Sequence, residues 1–325
     1  MAVPWFSSIA RPAMVACALL FRGLRVTSFR TVLLAAEQAL IDADVYCGHG
    51  YDSPHDEAVA LVLAAAQLPG TTGTEILEMP WPPEAQQRLD AFLRQRTEQR
   101  LPTAYIIGQA WLGPLLFKAD ARALVPRSPI MGFIADAFEP WWQEGAPTHI
   151  IDVCCGGGSL GLLAAWTFPD AHVSLLDIDT AALALAEENR HLHGLSNVAL
   201  HLGDLLTPVM GQKADIILAN PPYVDATDMA SLPSEYHHEP RFALEAGVDG
   251  LNLVHRLLLQ AADVLTADGV LFLEVGNSWP ALEQAYPDQV FTWLSPDVGG
   301  HGVCVLYGSE IAAMKQRAEQ WVQRL

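Results

Sequence analysis

Residues 149–161 read HIIDVCCGGGSLG, an apolar run that leads through an acid into a cluster of glycines. The apolar part has the length of a buried strand, and the glycines that follow are typical of a turn that opens a helix. Glycines at such a turn let the backbone approach a ligand closely, and the helix N-terminus offers free N–H groups. The stretch therefore predicts a strand–turn–helix unit with a ligand bound at the turn.

The chain after this stretch continues the same alternation of strand and helix. Further strands are predicted over 173–176, 198–200, 216–218 and 270–274, with helices over 160–167, 180–191 and 251–265. Two more short strands, 291–294 and 303–307, are predicted to form a closing antiparallel pair. Such alternation is typical of a parallel sheet wrapped by helices, so we expect an α/β, doubly wound, Rossmann-like domain.

The chain before residue 128 has a different composition. Residues 28–103 carry apolar side chains at helical spacing, interrupted by glycine and proline, and predict a small helical domain. Residues 104–127 contain short β-prone pieces around glycines and predict a hairpin connector to the α/β domain, 128–325. Residues 1–27 form an N-terminal extension whose apolar run is too short to span a bilayer.

Charge and cysteine content narrow the functional classes. The 325 residues include 37 acids and 18 Lys or Arg, a formal net charge of −19. Such a surface disfavours direct nucleic-acid binding and would attract a basic protein partner. Five cysteines without paired spacing indicate a reducing, cytoplasmic compartment. No metal site is expected, because the histidine pairs at 191/193 and 237/238 lack an acid or cysteine at ligand spacing.

The glycine turn by itself leaves two ligand classes open. Gly156, Gly158 and Gly161 match G-x-G-x-x-G, the fingerprint of dinucleotide binding. Asp177 ends the second strand at the distance where an acid holds ribose hydroxyls. A nicotinamide-dependent oxidoreductase is therefore one interpretation of this pattern.

Asp152, just before the glycines, favours the second class. An acid there would repel a pyrophosphate, whereas it would attract an ammonium group. The pattern resembles the first motif of S-adenosylmethionine-dependent methyltransferases. That resemblance implies that Asp152, Gly156 and Gly158 hold the cofactor, that Asp177 binds its ribose, and that Asp204 accepts from the adenine amino group.

A four-residue motif, Asn220-Pro221-Pro222-Tyr223, directly follows the predicted strand at 216–219. The two prolines make the loop stiff. The side-chain carbonyl of Asn220 and the backbone carbonyl of Pro221 could accept both hydrogens of a planar NH2 group, while Tyr223 packs on its flat face. The motif is typical of methyltransferases that act on adenine amino groups or side-chain amides.

Other segments extend the resemblance to the protein-glutamine methyltransferases. They read RLPTAY at 100–105, VPRSPI at 125–130 and EPRFALEAGVDG at 239–250, and together with the loop motif they cover the chain from about residue 28. The family resemblance implies a helical substrate-recognition domain, a hairpin and a seven-stranded class I methyltransferase domain. It also implies methyl transfer from S-adenosylmethionine, leaving S-adenosylhomocysteine, to a glutamine side-chain amide.

The same resemblance implies residue roles. The catalytic residues are then Asn220, Pro221, Pro222 and Tyr223; Asn220 also adjoins the cofactor; and the substrate-binding residues are Arg127, Glu239 and Pro240. Cys155 and Gly157 depart from the family, which usually has Thr and Ser at these places in the glycine loop.

Two branches of the family differ in their substrate. One modifies the Gly-Gly-Gln tip of peptide-chain release factors, and the other modifies the large-subunit ribosomal protein L-three. The segment PRSPI at 126–130 resembles the ribosomal branch, as do GHG at 48–50, DEA at 56–58 and YHHEP at 236–240. We therefore predict free or nascent ribosomal protein as the substrate. Release-factor methylation, adenine amino-methylation, nicotinamide-dependent oxidation and a scaffold without activity remain alternatives.

Overall fold

The computed structural model describes residues 27–296 and 300–325. The described part divides into two compact units. The first contains the described residues up to Cys47 together with Tyr51–Ile107, and the second contains Gly48–Gly50 and Gly108–Leu325. Apart from Thr27, the predicted N-terminal extension lies outside the described residues.

The first unit is helical, as the apolar spacing indicates. Its helices are α1 (Phe29–Asp42), α2 (Pro54–Ala65), α3 (Pro83–Thr97) and the short α4 (Thr103–Ile107). Ser28 and Ser53 cap α1 and α2 by accepting a backbone N–H with their hydroxyls. Pro54 and Pro83 stand in the first turn, where a missing N–H is harmless. Residue 104, where the sequence places the start of the connector, is still helical.

A buried ion pair ties the helices of this unit together. Arg96 of α3 and Glu57 of α2 are each 1% exposed. The guanidinium donates to both carboxylate oxygens, from Nε at 2.5 Å and from Nη2 at 3.0 Å. The Thr103 hydroxyl of α4 donates to the same carboxylate at 2.9 Å. Three helices therefore meet at one charge pair, which the sequence analysis did not identify.

The second unit contains a hairpin and a seven-stranded sheet. The hairpin pairs β1 (Gln109–Leu112) with β2 (Leu115–Lys118). The sheet has the order β5-β4-β3-β6-β7-β9-β8. Its strands are β3 (His149–Val153), β4 (His172–Asp177), β5 (Val198–Leu202), β6 (Ala214–Ala219), β7 (Leu265–Glu274), β8 (Thr292–Leu294) and β9 (Val303–Tyr307). Strands β3 to β7 run parallel and β9 runs antiparallel, which confirms the predicted fold class.

Helices cover both faces of this sheet. The helices of this unit are α5 (Ile130–Ala135), α6 (Ser159–Thr167), α7 (Thr180–Leu192), the short α8 (Ala226–Met229), α9 (Asn252–Val264), α10 (Trp279–Ala285) and α11 (Gly308–Val322). One buried cluster joins the sheet to α9 and α11, and another joins it to α5 and α6. The central strands are buried on both sides, so they are near-continuous apolar runs. Within the described ranges, no helix is both long and apolar enough to cross a membrane.

Candidate active site

Polar residues follow one another along a single edge of the sheet, and all of them except Glu274 are residues that the sequence predicts to act chemically. The strand order β5-β4-β3-β6-β7 places their carboxyl ends side by side. Read across this edge, the polar residues are Asp204, Asp177, Asp152, Asn220 and Glu274. Adjacent strands lie about 4.8 Å apart. The direction of strand addition reverses between β3 and β6, which is where open α/β sheets bind their ligands.

The glycines of the turn after β3 are required by packing as well as by backbone shape. A Cβ on Gly161 would lie 2.2 Å from Leu175 Cδ2 and 2.9 Å from Asp152 Cβ, so α6 can approach the sheet only with glycine there. Gly156 and Gly158 have φ angles of +54° and +80°, in the left-handed region that favours glycine. The shape of the turn therefore follows from close packing against the sheet and from the left-handed backbone that glycine tolerates.

A buried side chain, Asn189 of α7, holds the same turn from the other side. Its Nδ2 donates to the Gly157 carbonyl at 3.0 Å, and its Oδ1 accepts from the Lys118 backbone N–H at 2.8 Å. The Cys155 N–H donates to the carbonyl of Leu176 at 3.0 Å. These bonds fix the backbone at Cys155 and Gly157, where the sequence departs from the family, and they do not involve the Cys155 thiol. The sequence offered no signal for Asn189.

Asp152 is an acid buried without a cation beside it. It is 1% exposed, and its Oδ2 accepts from the Gly161 N–H at 2.8 Å. Among the described residues, nothing donates to its Oδ1. Burial raises the pKa of Asp152 to about 7; the bond from Gly161 opposes that rise, and the charge of Asp177 adds to it. A cationic ligand such as an ammonium group would relieve the cost of this charge.

Replacement of Asp152 by asparagine is expected to stabilise the ligand-free chain at pH 8 by up to about 4 kcal/mol. At pH values well below 3.8 the acid is protonated in both the folded and the unfolded chain, so its ionisation contributes nothing. Between the ordinary value of 3.8 and about 7 only the unfolded chain ionises, so the acid makes the parent lose stability as pH rises. Asparagine keeps the oxygen that accepts from Gly161 and does not titrate. Urea unfolding of both proteins from pH 4 to 8 measures the difference, and a gap that does not widen with pH contradicts the assignment.

Asp177 holds the neighbouring position at the end of β4. Its Oδ2 accepts from the Gly156 N–H at 2.8 Å and its Oδ1 from the Asp179 N–H at 2.9 Å. Burial raises its pKa, although these backbone bonds oppose the rise. Each carboxylate oxygen keeps a second lone pair, so both can still accept from ligand hydroxyls. Ile178, which is 64% exposed, adds apolar surface beside them, and its position directly after the acid was a signal that the sequence analysis missed.

Asp204, beyond the end of β5, is paired with an arginine that the sequence analysis did not find. Arg256 of α9 donates from Nη2 to its Oδ2, and both side chains are partly exposed. The two residues are 52 positions apart in the chain, so no local pattern links them. The positive charge of Arg256 is balanced by Asp204. The acids along this edge can accept hydrogen bonds from a ligand, but they would not attract a phosphate group.

The loop after β6 presents two open acceptors on a fixed backbone. Neither the Asn220 side-chain oxygen nor the Pro221 carbonyl accepts a hydrogen bond from another described residue. Tyr223 is held at both ends: its hydroxyl donates to Glu274 at 2.9 Å, and its carbonyl accepts from Ser278 Oγ at 2.9 Å. A planar NH2 group presented to this loop would find two acceptors and an aromatic ring.

Arg127 and Glu239, both predicted to bind substrate, form an ion pair with each other. The guanidinium donates to both carboxylate oxygens at 2.5 and 2.7 Å, and the Val125 N–H donates to one of them at 3.0 Å. His49 Nε2 lies 3.3 Å from the other. Although burial acts to raise the pKa of Glu239, the charge of Arg127 lowers it to about 2.

These contacts limit what Glu239 can do. Its carboxylate is fully buried and its oxygens are engaged, whereas the guanidinium of Arg127 is 23% exposed. Pro240 is half-buried directly after it. We therefore expect Glu239 to act on a substrate by positioning Arg127 and the segment that begins at Pro240; direct contact by these residues stays a prediction. Within the described ranges, no group of three or more His, Cys, Asp or Glu side chains is placed to hold a metal ion.

Comparison with known proteins identifies the family of proteins that this chain resembles. A family model for the methyltransferase small domain matches residues 141–234. A ribosomal protein uL3 glutamine methyltransferase from Francisella tularensis is 40% identical over 283 residues, 86% of this chain and 90% of the relative. Its counterpart from Xanthomonas campestris is 39% identical over 276 residues, 85% and 90% of the two chains. A crystal structure of ribosomal protein L11 methylase from Lactobacillus delbrueckii has 24% identity and a TM-score of 0.38, covering 55% and 76% of the two chains.

Proposed function

This chain belongs to the family of ribosomal protein uL3 glutamine methyltransferases, and we propose that it methylates a glutamine side-chain amide of uL3 with S-adenosylmethionine as methyl donor. The observation that carries the proposal is the pair of open acceptors at Asn220 and Pro221 beside the buried acid at the end of β3. A primary amide presents two hydrogens in one plane, and this loop offers one oxygen for each.

The acids along the sheet edge fit the proposed cofactor. Asp152, Asp177 and Asp204 are acceptor groups, and S-adenosylmethionine presents donors in the same order: an ammonium, ribose hydroxyls and an adenine amino group. A dinucleotide would instead bring its pyrophosphate beside Asp152, where two negative groups repel. When bound, the cofactor supplies a methyl group made electrophilic by its sulfonium. Because the methyl group is already electrophilic, the protein has to orient the neutral NH2 of the substrate. It does not have to deprotonate that group with a strong base.

The mechanism follows from the weak nucleophilicity of an amide. Its nitrogen lone pair is delocalised into the carbonyl, and no side chain is basic enough to remove the N–H proton beforehand. The oxygens of Asn220 and Pro221 draw on both N–H bonds and stabilise the positive charge that develops on nitrogen. Tyr223 packs on the amide plane and holds the nitrogen in line with the methyl–sulfur bond, so that attack becomes a matter of positioning. The methylated nitrogen then carries one proton too many and a positive charge, and it is acidic enough to release that proton to solvent water.

Electrostatics support a free basic protein as the substrate. The net charge of −19 would attract an unassembled ribosomal protein over a distance. The same charge would repel that protein once ribosomal RNA surrounds it. An adenine amino-methyltransferase could use the same loop, but its substrate would be a nucleic acid. A protein with a net charge of −19 would repel that negatively charged substrate. The helical unit is the part that the family resemblance assigns to substrate recognition.

Mass spectrometry of candidate proteins after incubation with labelled S-adenosylmethionine tests the proposal. We expect one glutamine of free uL3 to gain the mass of one CH2, with a rate that falls as salt is added because the attraction is screened. Intact large subunits are expected to react slowly. A peptide-chain release factor and an adenine-containing oligonucleotide serve as competing substrates. Faster methylation of either one would contradict the choice of uL3, and no transfer to any glutamine would contradict the reaction.

A further inference from the structure

Glu274 is a buried acid at the active-site edge to which the mechanism above gives no role. It is the last residue of β7 and is 5% exposed. The register pairs Ala219 of β6 with Leu273, so Glu274 stands level with Asn220 on the neighbouring strand. Burying a carboxylate costs several kcal/mol unless it is well compensated. An acid kept at this position therefore calls for an explanation.

The partners of Glu274 are hydroxyl groups. Its Oε1 accepts from the Tyr223 hydroxyl at 2.9 Å, and its Oε2 accepts from Ser128 Oγ at 2.6 Å. Burial raises its pKa, while these two bonds and the charge of Arg127 oppose the rise. Arg127 itself is bonded to Glu239. An apolar side chain would fill the same space at lower cost, but it would leave the Tyr223 hydroxyl without this acceptor.

The ring of Tyr223 is also fixed along one side. A Cβ placed on Gly276 would lie 2.5 Å from Cε2 of the ring and 3.0 Å from Cδ2 and Cζ, so the ring lies against the bare backbone of that glycine. The backbone of Tyr223 is held by Ser278, whose hydroxyl donates to its carbonyl. The backbone and one side of the ring are thus set by close packing, and the hydroxyl end of the ring is set by Glu274.

We propose that Glu274 is a positioning residue for methyl transfer: by accepting the Tyr223 hydroxyl it holds the ring at the angle from which Tyr223 packs on the substrate amide. The inference rests on the proposed function, in which Tyr223 flanks the amide. Glu274 does not touch the substrate. Because in-line attack depends on orientation, release of the ring is expected to lower kcat and to leave cofactor binding unchanged.

A double-mutant cycle separates this role from a merely structural one. Tyr223→Phe and Glu274→Leu each break the same hydrogen bond, so each is expected to lower kcat by about tenfold to a hundredfold. The double variant should be no slower than the slower single variant, because nothing is left to lose. Glu274→Gln keeps an oxygen for the hydroxyl and is expected to restore most of kcat. The KM for S-adenosylmethionine should stay constant throughout.

A matched control and a readout without activity complete the test. Tyr307→Phe removes a hydroxyl bonded at 3.1 Å to the Trp141 carbonyl in the same unit, and its kcat should match that of the parent. The NMR signals of the Tyr223 ring, assigned by their loss in Tyr223→Phe, should show new motional averaging in Glu274→Leu and not in Glu274→Gln. Additive losses in the cycle, failure of glutamine to rescue kcat, or an unchanged ring signal would each overturn the proposal. Absence of glutamine methylation by the parent would instead count against the proposed function, and the ring signal would still decide the role of Glu274.

Discussion

Replacement of Asn220 by alanine is expected to lower kcat for glutamine methylation by about a hundredfold to a thousandfold, the loss seen when one preorganised partner of a developing charge is removed. The side-chain oxygen of Asn220 is one of the two acceptors offered to the amide, and Pro221 cannot supply both. Affinity for S-adenosylmethionine should change little, because the three acids along β3, β4 and β5 remain. Single-turnover kinetics with free uL3 and calorimetry with the cofactor measure the two quantities separately.

The controls for this variant lie in the same region of the fold. Asn277→Ala removes an exposed asparagine whose Nδ2 donates to Asp228 at 2.8 Å, and its kcat should stay within about twofold of the parent value. The free energy of unfolding of Asn220→Ala should match that of the parent within about 0.5 kcal/mol, because its side chain bonds to no described residue. Near-normal turnover in Asn220→Ala would refute the role given to the loop.

Replacement of Glu57 by alanine is expected to destabilise the helical unit by about 3–5 kcal/mol. The substitution leaves the guanidinium of Arg96, 1% exposed, without its counter-charge and without two hydrogen bonds. It also removes the acceptor of the Thr103 hydroxyl. Hydrogen exchange of the amides in α1, α2 and α3 under native conditions measures the opening free energy of this unit by itself.

An exposed ion pair in the same unit provides the control. Arg30 donates to Glu78 at 2.7 Å, but their side chains are 40% and 76% exposed. Arg30→Ala should therefore cost less than about 1 kcal/mol, since exposed pairs are solvated whether or not they form. Equal effects of the two substitutions would show that burial does not determine the strength of the Glu57–Arg96 pair.

The sequence by itself determined the fold class and the chemical centre of the site. Apolar runs in alternation with helical periodicity specify a parallel sheet, because strands buried on both faces must be apolar throughout. The loop at 220–223 and the acids that follow strands are local features, because their conformation depends on only a few neighbouring residues in the sequence. Their common location then follows from strand order alone, since parallel strands end at one edge. The family relationship to known methyltransferases was likewise present in these local motifs.

Only the tertiary structure decided which side chains meet across the chain. Glu57 and Arg96 are 39 residues apart, Tyr223 and Glu274 are 51, and Ser128 and Glu274 are 146. It also showed that the carboxylate of Glu239, predicted to bind substrate, is engaged by the protein itself. Whether a hydrogen bond forms depends on differences of a few tenths of an ångström between donor and acceptor. These distances are set by the register of strands and the packing of helices. Local sequence patterns carry the periodicity of one element at a time, and so they contain no information about these contacts between elements.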